Sequence, residues 1–375
     1  MMYTIVDVGS NTIRMNVYDI KDDKLKILFT KKATAGLASY VKDKRMSAAG
    51  IDRVVEVLVD FKETLSNLNI PEMHVFATAS LRNVENSQEA VAEIERRTGL
   101  LVQVLSGREE AELDFLGAAR EAAVKKGLLV DIGGGSTELV AYKEGKIVSA
   151  ISIAKGSLNS YNKYVKGILP TKEERHLIRA DFLKKLDGIK AFDGKNKYKL
   201  MCGVGGTVRA ALKLDQLLFG KSAAENLLQV SHVGYIIKAM EQKENREKFL
   251  KNMELLLDVV PDRIRTILPG MIILYAVAKR FKCESILVAH TGVREGFMYN
   301  YVLKKGNIGQ DGLAGDDEKD NQAADAAQGL EVLQAAPEAQ ATEAGQGAGG
   351  HQDAGANEKA AADGNAGSKQ EKAGE

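Results

Sequence analysis

Apolar residues along the first thirty or so positions come in short alternating runs rather than at helical spacing. Tyr3 to Val8 and Ile13 to Ile20 read as strands, the second with Ile13, Met15 and Val17 on one face, and Leu25 to Thr30 completes a meander. At Ser47, a residue suited to cap a helix, the period changes, and Val54, Val55, Leu58, Phe61, Leu65 and Leu68 fall on one helical stripe. Strand Met73 to Ala77, helix Ser87 to Thr98, strand Leu101 to Leu105 and helix Gly107 to Val124 follow in alternation, the pattern of an α/β fold.

A second start then repeats the first. Gly127 to Ile132 reads as a buried strand, a glycine turn follows, and Thr137 to Tyr142 and Lys146 to Ile151 give two more strands. Helices are predicted around Gly156 to Val165 and Thr171 to Leu186. Strand Lys199 to Val204, a helix from Gly205, further helices to Phe281, strand Ser285 to His290 and helix Val293 to Lys304 close the patterned part. Two copies of strand, small-residue turn and strand predict two similar domains, residues 1–122 and 123–305, facing each other across a cleft. The closing helix, residues 293–304, is a candidate to pack back on the first domain.

Residues 306–375 break the pattern. They are dominated by Ala, Gly, Gln, Glu and Asp, and cannot bury enough apolar surface to offset the entropy of ordering, so they are expected to be disordered apart from a short helix around Leu330 to Leu333. This tail holds 14 Asp and Glu against 4 Lys and no Arg, a net charge of −10. The whole chain carries 52 basic and 51 acidic residues, which leaves +11 on residues 1–305. A basic body suits an anionic substrate, and the plainer reading of the same excess is solubility. Cys202 and Cys283 sit in apolar runs without a Cys or His partner and read as buried thiols. The first residues lack a basic leader pattern, and the most apolar stretch, Gly270 to Ala278, is too short for a membrane span, so a cytoplasmic protein is expected.

Three turns of glycine and hydroxyl residues fall where strands end, the place where open α/β sheets bind ligands. They are Asp7-Val8-Gly9-Ser10-Asn11-Thr12, Asp131-Ile132-Gly133-Gly134-Gly135-Ser136-Thr137-Glu138 and Gly203-Val204-Gly205-Gly206-Thr207. Glycine lets backbone N–H groups approach an anion, hydroxyls add donors, and the third turn opens a helix whose N-terminal end favours phosphate. A single such turn is most often only a tight turn; three at equivalent strand ends, two of them preceded by Asp, point to phosphate. No GxxxxGK[ST] loop is present, because Gly220-Lys221-Ser222 has Asp215 where that pattern needs glycine. His74, His176, His232 and His290 show no metal spacing. Lys155, Lys163, Lys166, Lys195, Lys197, Lys199 and Arg209 are each read first as solvated surface, and as a candidate track for a longer anion.

The chain resembles the exopolyphosphatase/guanosine pentaphosphate phosphohydrolase (Ppx/GppA) family, a branch of the superfamily that includes actin, sugar kinases and heat-shock chaperone ATPases. The resemblance covers about residues 2 to 304 and rests on Asp7 to Thr12 with Arg14, Ala77 to Arg82, Ser106-Gly107-Arg108-Glu109-Glu110-Ala111, Asp131 to Glu138, Gly205-Gly206-Thr207 and Gly292 to Gly296. It implies two actin-like (ribonuclease H-like) domains and a catalytic base at Glu110. The residues alone say only that one of Glu109 and Glu110 faces the cleft, since neighbours on a helix point about 100° apart. Glu138 joins Glu110 as a catalytic candidate. Arg82 resembles the family's phosphate-binding arginine and would act with Gly9, Ser10, Asn11, Thr12, Gly133, Gly134, Gly135, Ser136, Thr137, Gly205, Gly206 and Thr207. Asp131, Glu138 and Asp7 are the candidates to hold Mg²⁺ or another divalent cation.

The expected activity is hydrolysis of the terminal phosphoryl group of inorganic polyphosphate, with guanosine pentaphosphate as the alternative substrate. A kinase is a weaker reading, and a non-catalytic sensor of alarmone or polyphosphate is the alternative of a different class. Neither nucleic acid nor a membrane is an expected partner, and a second copy of the chain is a candidate one. Two departures from the family's pattern stand out. Lys31-Lys32-Ala33-Thr34-Ala35-Gly36 lacks the usual arginine, and Arg263-Ile264-Arg265 stands where Arg-x-Asp is usual. The first bears on the substrate channel, the second on support for the cleft. The larger members also carry a C-terminal helical phosphohydrolase-like domain that this sequence does not match.

Overall fold

The computed structural model describes residues 2–21, 24–70, 73–120, 126–192, 195–240 and 246–304. All of these fall within one compact unit, Met1–Leu313. The expected tail at 306–375, its short helix and the expected domain boundary at 122/123 lie outside the described residues.

The first part of the chain runs β1 (Met2–Val8), β2 (Thr12–Lys21), β3 (Lys24–Thr34), a small hairpin of β4 (Val41–Lys42) and β5 (Arg45–Met46), α1 (Ala48–Asn67), β6 (Met73–Ala77), α2 (Ala79–Arg82), α3 (Ser87–Thr98), β7 (Val102–Val104) and α4 (Gly107–Ala119). The second continues with β8 (Lys126–Ile132), β9 (Thr137–Lys143), β10 (Lys146–Ile153), α5 (Ser157–Tyr164), α6 (Lys172–Asp187), β11 (Leu200–Val204), α7 (Gly205–Leu218), β12 (Leu227–Gln229), α8 (Val230–Ala239), α9 (Arg246–Val259), α10 (Ile267–Arg280), β13 (Ser285–Val288) and α11 (Val293–Phe297).

Two sheets result, ordered β3-β2-β1-β6-β7 and β10-β9-β8-β11-β13-β12. In each, the first three strands form an antiparallel meander and the next two add parallel to its first strand. The second sheet alone gains an antiparallel edge, β12. The fold class is therefore α/β, with the repeated strand order of the ribonuclease H-like arrangement. Strand β3 runs on to Thr34, pairing with Thr12, so Lys31 to Ala33 belong to the sheet rather than to a loop.

The predicted helix starts have identifiable causes. Ser47 caps α1 by accepting from the Gly50 amide. Ser106 and Glu109 form a reciprocal capping box at α4, and Thr171 and Glu174 form another at α6. The closing helix departs from expectation: α11 ends at Phe297, and a π-helical turn takes the chain through Met298 to Val302.

The packing of α4 and α11 organises the site. Helix α4 buries Ala111, Leu113, Phe115 and Ala118 together with Glu110 and Asp114, so it packs on more than one side. Ala111, Phe115 and Ala118 pack on Leu129, Val140 and Tyr142 of the second sheet. Leu113, on another side of α4, joins Ile5, Tyr18 and Phe76 of the first sheet together with Val293, Phe297 and Met298. The two helices meet backbone to backbone: a Cβ on Gly117 would lie 2.1 Å from the Gly292 carbonyl oxygen, and one on Gly296 would lie 1.9 Å from that of Leu113. Any side chain at either position would drive the helices apart.

Candidate active site

The three glycine turns converge. A Cβ on Gly135 would lie 2.5 Å from the Ser10 hydroxyl, and one on Gly134 would lie 3.3 Å from Asn11, so the first and second turns touch. The third turn closes on the second. Gly205 has φ of +80°, a conformation that glycine adopts without strain, and a Cβ there would lie 2.0 Å from Asp131 Oδ1. One cavity is lined by Asp7, Gly9, Ser10, Asn11 and Thr12 from the first turn, by Asp131 and Gly133 to Ser136 from the second, and by Gly205 and Gly206 from the third. Thr137 and Thr207 are held apart from it. Their hydroxyls donate to the carbonyls of Lys155 and Ile132, both at 2.7 Å, which makes them struts of the turns.

Four arginines also face this cavity: Arg14, Arg209, Arg263 and Arg294. Burial, together with the charges of Arg294, Arg209 and Arg263, pushes Arg14 down to about 10. Mutual repulsion of this kind marks a place that an anion would stabilise. Arg294 donates to Asp7 Oδ2 at 3.0 Å. Burial opposes its charge, yet Glu295, Asp7 and Tyr18 outweigh burial and raise its pKa. Glu295 is itself fixed, accepting from the Tyr18 hydroxyl at 2.6 Å and from the Gly292 amide at 2.9 Å. Three donors at the cavity lack a partner among the described residues: Asn11 Nδ2, Thr12 Oγ1 and Arg294 Nε. Buried donors are seldom left unpaired, and these three fit an anion.

Carboxylates gather on the side of α4. Glu110 is 8% exposed and faces the cavity, while Glu109 turns away to cap the helix and accept from the Tyr301 hydroxyl. Arg82 donates to Glu110 Oε2 at 2.7 Å and to the Leu105 carbonyl at 3.0 Å. Its other amino group lies 3.9 Å from Glu138 Oε1, which also accepts from Ser152 at 2.7 Å. Arg82, expected as a phosphate clamp, is here engaged with the two glutamates. Burial raises Glu110 well above the usual carboxylate range, with Glu138 adding and Arg82 opposing. Burial pushes Glu138 up to about 7 against the pull of Arg82. Asp131 and Asp7 are raised by burial too, opposed chiefly by Arg209 and Arg294 respectively.

These hard oxygen donors fit a divalent cation of the Mg²⁺ type in their chemistry. Among the described residues, however, no three acidic or histidine side chains are placed to hold one ion together. Mg²⁺ is commonly held by one or two carboxylates plus water and substrate oxygens, so Asp131 and Asp7, which line the cavity, and Glu138, the cross-strand partner of Asp131 outside the lining, suit that mode.

Sequence reasoning missed Asp114, which lines the cavity one helical turn beyond Glu110, and gave no binding role to Arg14, Arg263 or Arg294. It read Arg209 first as surface, whereas this side chain is half-buried, lines the cavity and donates to the His290 carbonyl at 3.2 Å. The spacing Glu110-x-x-x-Asp114 was the available signal for Asp114.

Over residues 16–305 the sequence matches the Ppx/GppA phosphatase family. The chain belongs to that family. Among solved structures, it is similar to a Ppx/GppA family member from Aquifex aeolicus at 25% identity, covering 82% of this chain and 99% of that one with a TM-score of 0.64. It is also similar to an exopolyphosphatase from Cytophaga hutchinsonii at 21% identity, with the same two coverages and a TM-score of 0.71. The second likeness speaks for the fold. Among the described residues, no helix is long and apolar enough to cross a membrane.

Proposed function

We propose that the chain is an exopolyphosphatase, a divalent-metal-dependent hydrolase of the terminal phosphoryl group of inorganic polyphosphate, working in a cleft between two actin-like halves. One observation carries this reading: unpaired donors on Asn11, Thr12 and Arg294 share a cavity with a buried glutamate, so an anion and a base would meet there.

The glycine turns and the arginines Arg14, Arg209, Arg263 and Arg294 would bind the terminal phosphate and the next one along. Glu110, oriented by Arg82, accepts a proton from the attacking water. The water oxygen bonds to phosphorus in line with the departing bridge, the bridging P–O bond breaks, and the shortened chain leaves with that electron pair. Burial raises Glu110 above the ordinary carboxylate range, which makes the ionised carboxylate a stronger proton acceptor. A divalent cation held by Asp131 and Glu138 would, when bound, neutralise charge on the transferring group.

Phosphate release from polyphosphate by the purified protein tests this. Release is expected with Mg²⁺ and abolished by excess chelator; full activity in chelator would contradict the metal requirement. Release from guanosine pentaphosphate but not from polyphosphate would move the assignment to the 5′-phosphohydrolase of the same family.

A further inference from the structure

We propose that Asp114 is an outer-sphere carboxylate for a divalent cation, accepting hydrogen bonds from water in the shell of an ion held by Asp131 and Glu138. This rests on the metal-dependent reading above and adds a residue to it.

Asp114 is 1% exposed and lines the same cavity as Glu110 and Asp131. Neither of its carboxylate oxygens has a hydrogen-bond partner among the described residues. The Val293 backbone amide, at the start of α11, interacts with the carboxylate and favours its charged form. After burial, the groups that act on it most strongly are three more carboxylates, Asp131, Glu138 and Glu110. Arg82 pairs with Glu110 and Glu138 and Arg294 with Asp7, and none of the arginines is among the groups that act most strongly on Asp114. A buried carboxylate so placed either stays protonated or has a cation nearby.

The position is built rather than incidental. Asp114 follows Glu110 by one turn and so shares its face of α4. The close approach of α4 and α11 seats Gly292 over it, so that a Cβ on Gly292 would lie 3.2 Å from Asp114 Oδ1. Since among the described residues no three acidic side chains are placed to hold one ion directly, Asp114 is assigned to the water shell. Mg²⁺ and Mn²⁺ keep several waters, and those waters need acceptors.

The test is Mn²⁺ affinity of the full-length protein without substrate, measured by calorimetry or by the loss of the free-ion electron spin resonance signal. Asp114→Asn keeps the shape and removes the charge. It should weaken Mn²⁺ binding about tenfold or more, the usual effect of losing an outer-shell partner. Its thermal midpoint in metal-free buffer should equal or exceed that of the wild type, and Mn²⁺ should raise it less. Wild-type Mn²⁺ affinity in Asp114→Asn, or no Mn²⁺ binding by the wild-type protein, overturns the proposal. Polyphosphate hydrolysis by the wild type is read separately. Hydrolysis with unchanged Mn²⁺ affinity in the variant removes only the role of Asp114; weakened affinity without any phosphate release by the wild type removes the substrate assignment and leaves the ion site.

Discussion

Replacing Arg82 with Met keeps much of its stem and removes the charge that holds the two glutamates. The side chains of Arg82 and Glu110 are 16% and 11% exposed, so their 2.7 Å contact lies near the buried limit. Breaking a buried pair by removing one partner costs about 3–5 kcal/mol, because the other charge is left stranded. Glu110 can escape part of this by taking up a proton, which places the expected loss for Arg82→Met at about 3 kcal/mol. Glu110→Gln in the same chain removes the stranded charge. The double variant should therefore be more stable than the sum of the single losses predicts, by about 1.5–3 kcal/mol. Denaturant unfolding of the wild type, both single variants and the double variant in metal-free buffer near neutral pH gives this coupling directly. Losses that add to within about 0.5 kcal/mol would refute the idea that Arg82 serves mainly to neutralise and orient Glu110.

Three further outcomes follow from the charges. Glu138 is pushed up to about 7 in the folded protein, so the folded state binds the extra proton. Its contribution to stability is full below the ordinary carboxylate range and is lost as pH rises through about 7, so metal-free protein should lose stability over that interval and divalent cation should blunt the loss. Phosphate release should fall on the acid side with an apparent pKa above the carboxylate range, a value belonging to the coupled glutamates together; an acid limb at an ordinary carboxylate pKa would contradict this. Removing residues 306–375, which carry −10, should lower the apparent KM for long polyphosphate at low salt, with the difference shrinking as salt is added. Equal KM values at low and high ionic strength would leave the tail without an electrostatic role.

Much of this architecture was legible in residue patterns. Alternation at Ile13, Met15 and Val17, the Ser47 cap and the repeated strand-turn-strand unit are local signals, and the structure keeps them. The hairpin at Val41–Met46 and the strand Leu227–Gln229 were not foreseen, because two- and three-residue strands are too short to show a period. The choice between Glu109 and Glu110 could not be made from helix geometry alone; it is settled by the capping box and Tyr301, and the tyrosine contact comes from a residue 192 positions away. Asp114 escaped notice for a related reason. On sequence it is one more acid on a helix, and only the crossing of α4 and α11 buries it. The arginines were hidden likewise, since Arg209, Arg263 and Arg294 come from three separate segments: Arg209 reads singly as surface charge, and the motifs around Arg263 and Arg294 gave neither a binding role.

The most direct test of the account is phosphate release by Glu110→Gln beside the wild type, on polyphosphate of several lengths and on guanosine pentaphosphate, with Mg²⁺ present. The glutamine keeps the side-chain shape and cannot accept the proton. Turnover should fall by about two to four orders of magnitude with substrate binding largely retained, the usual contribution of a general base. Wild-type turnover in Glu110→Gln would contradict the central claim that this buried glutamate activates the attacking water.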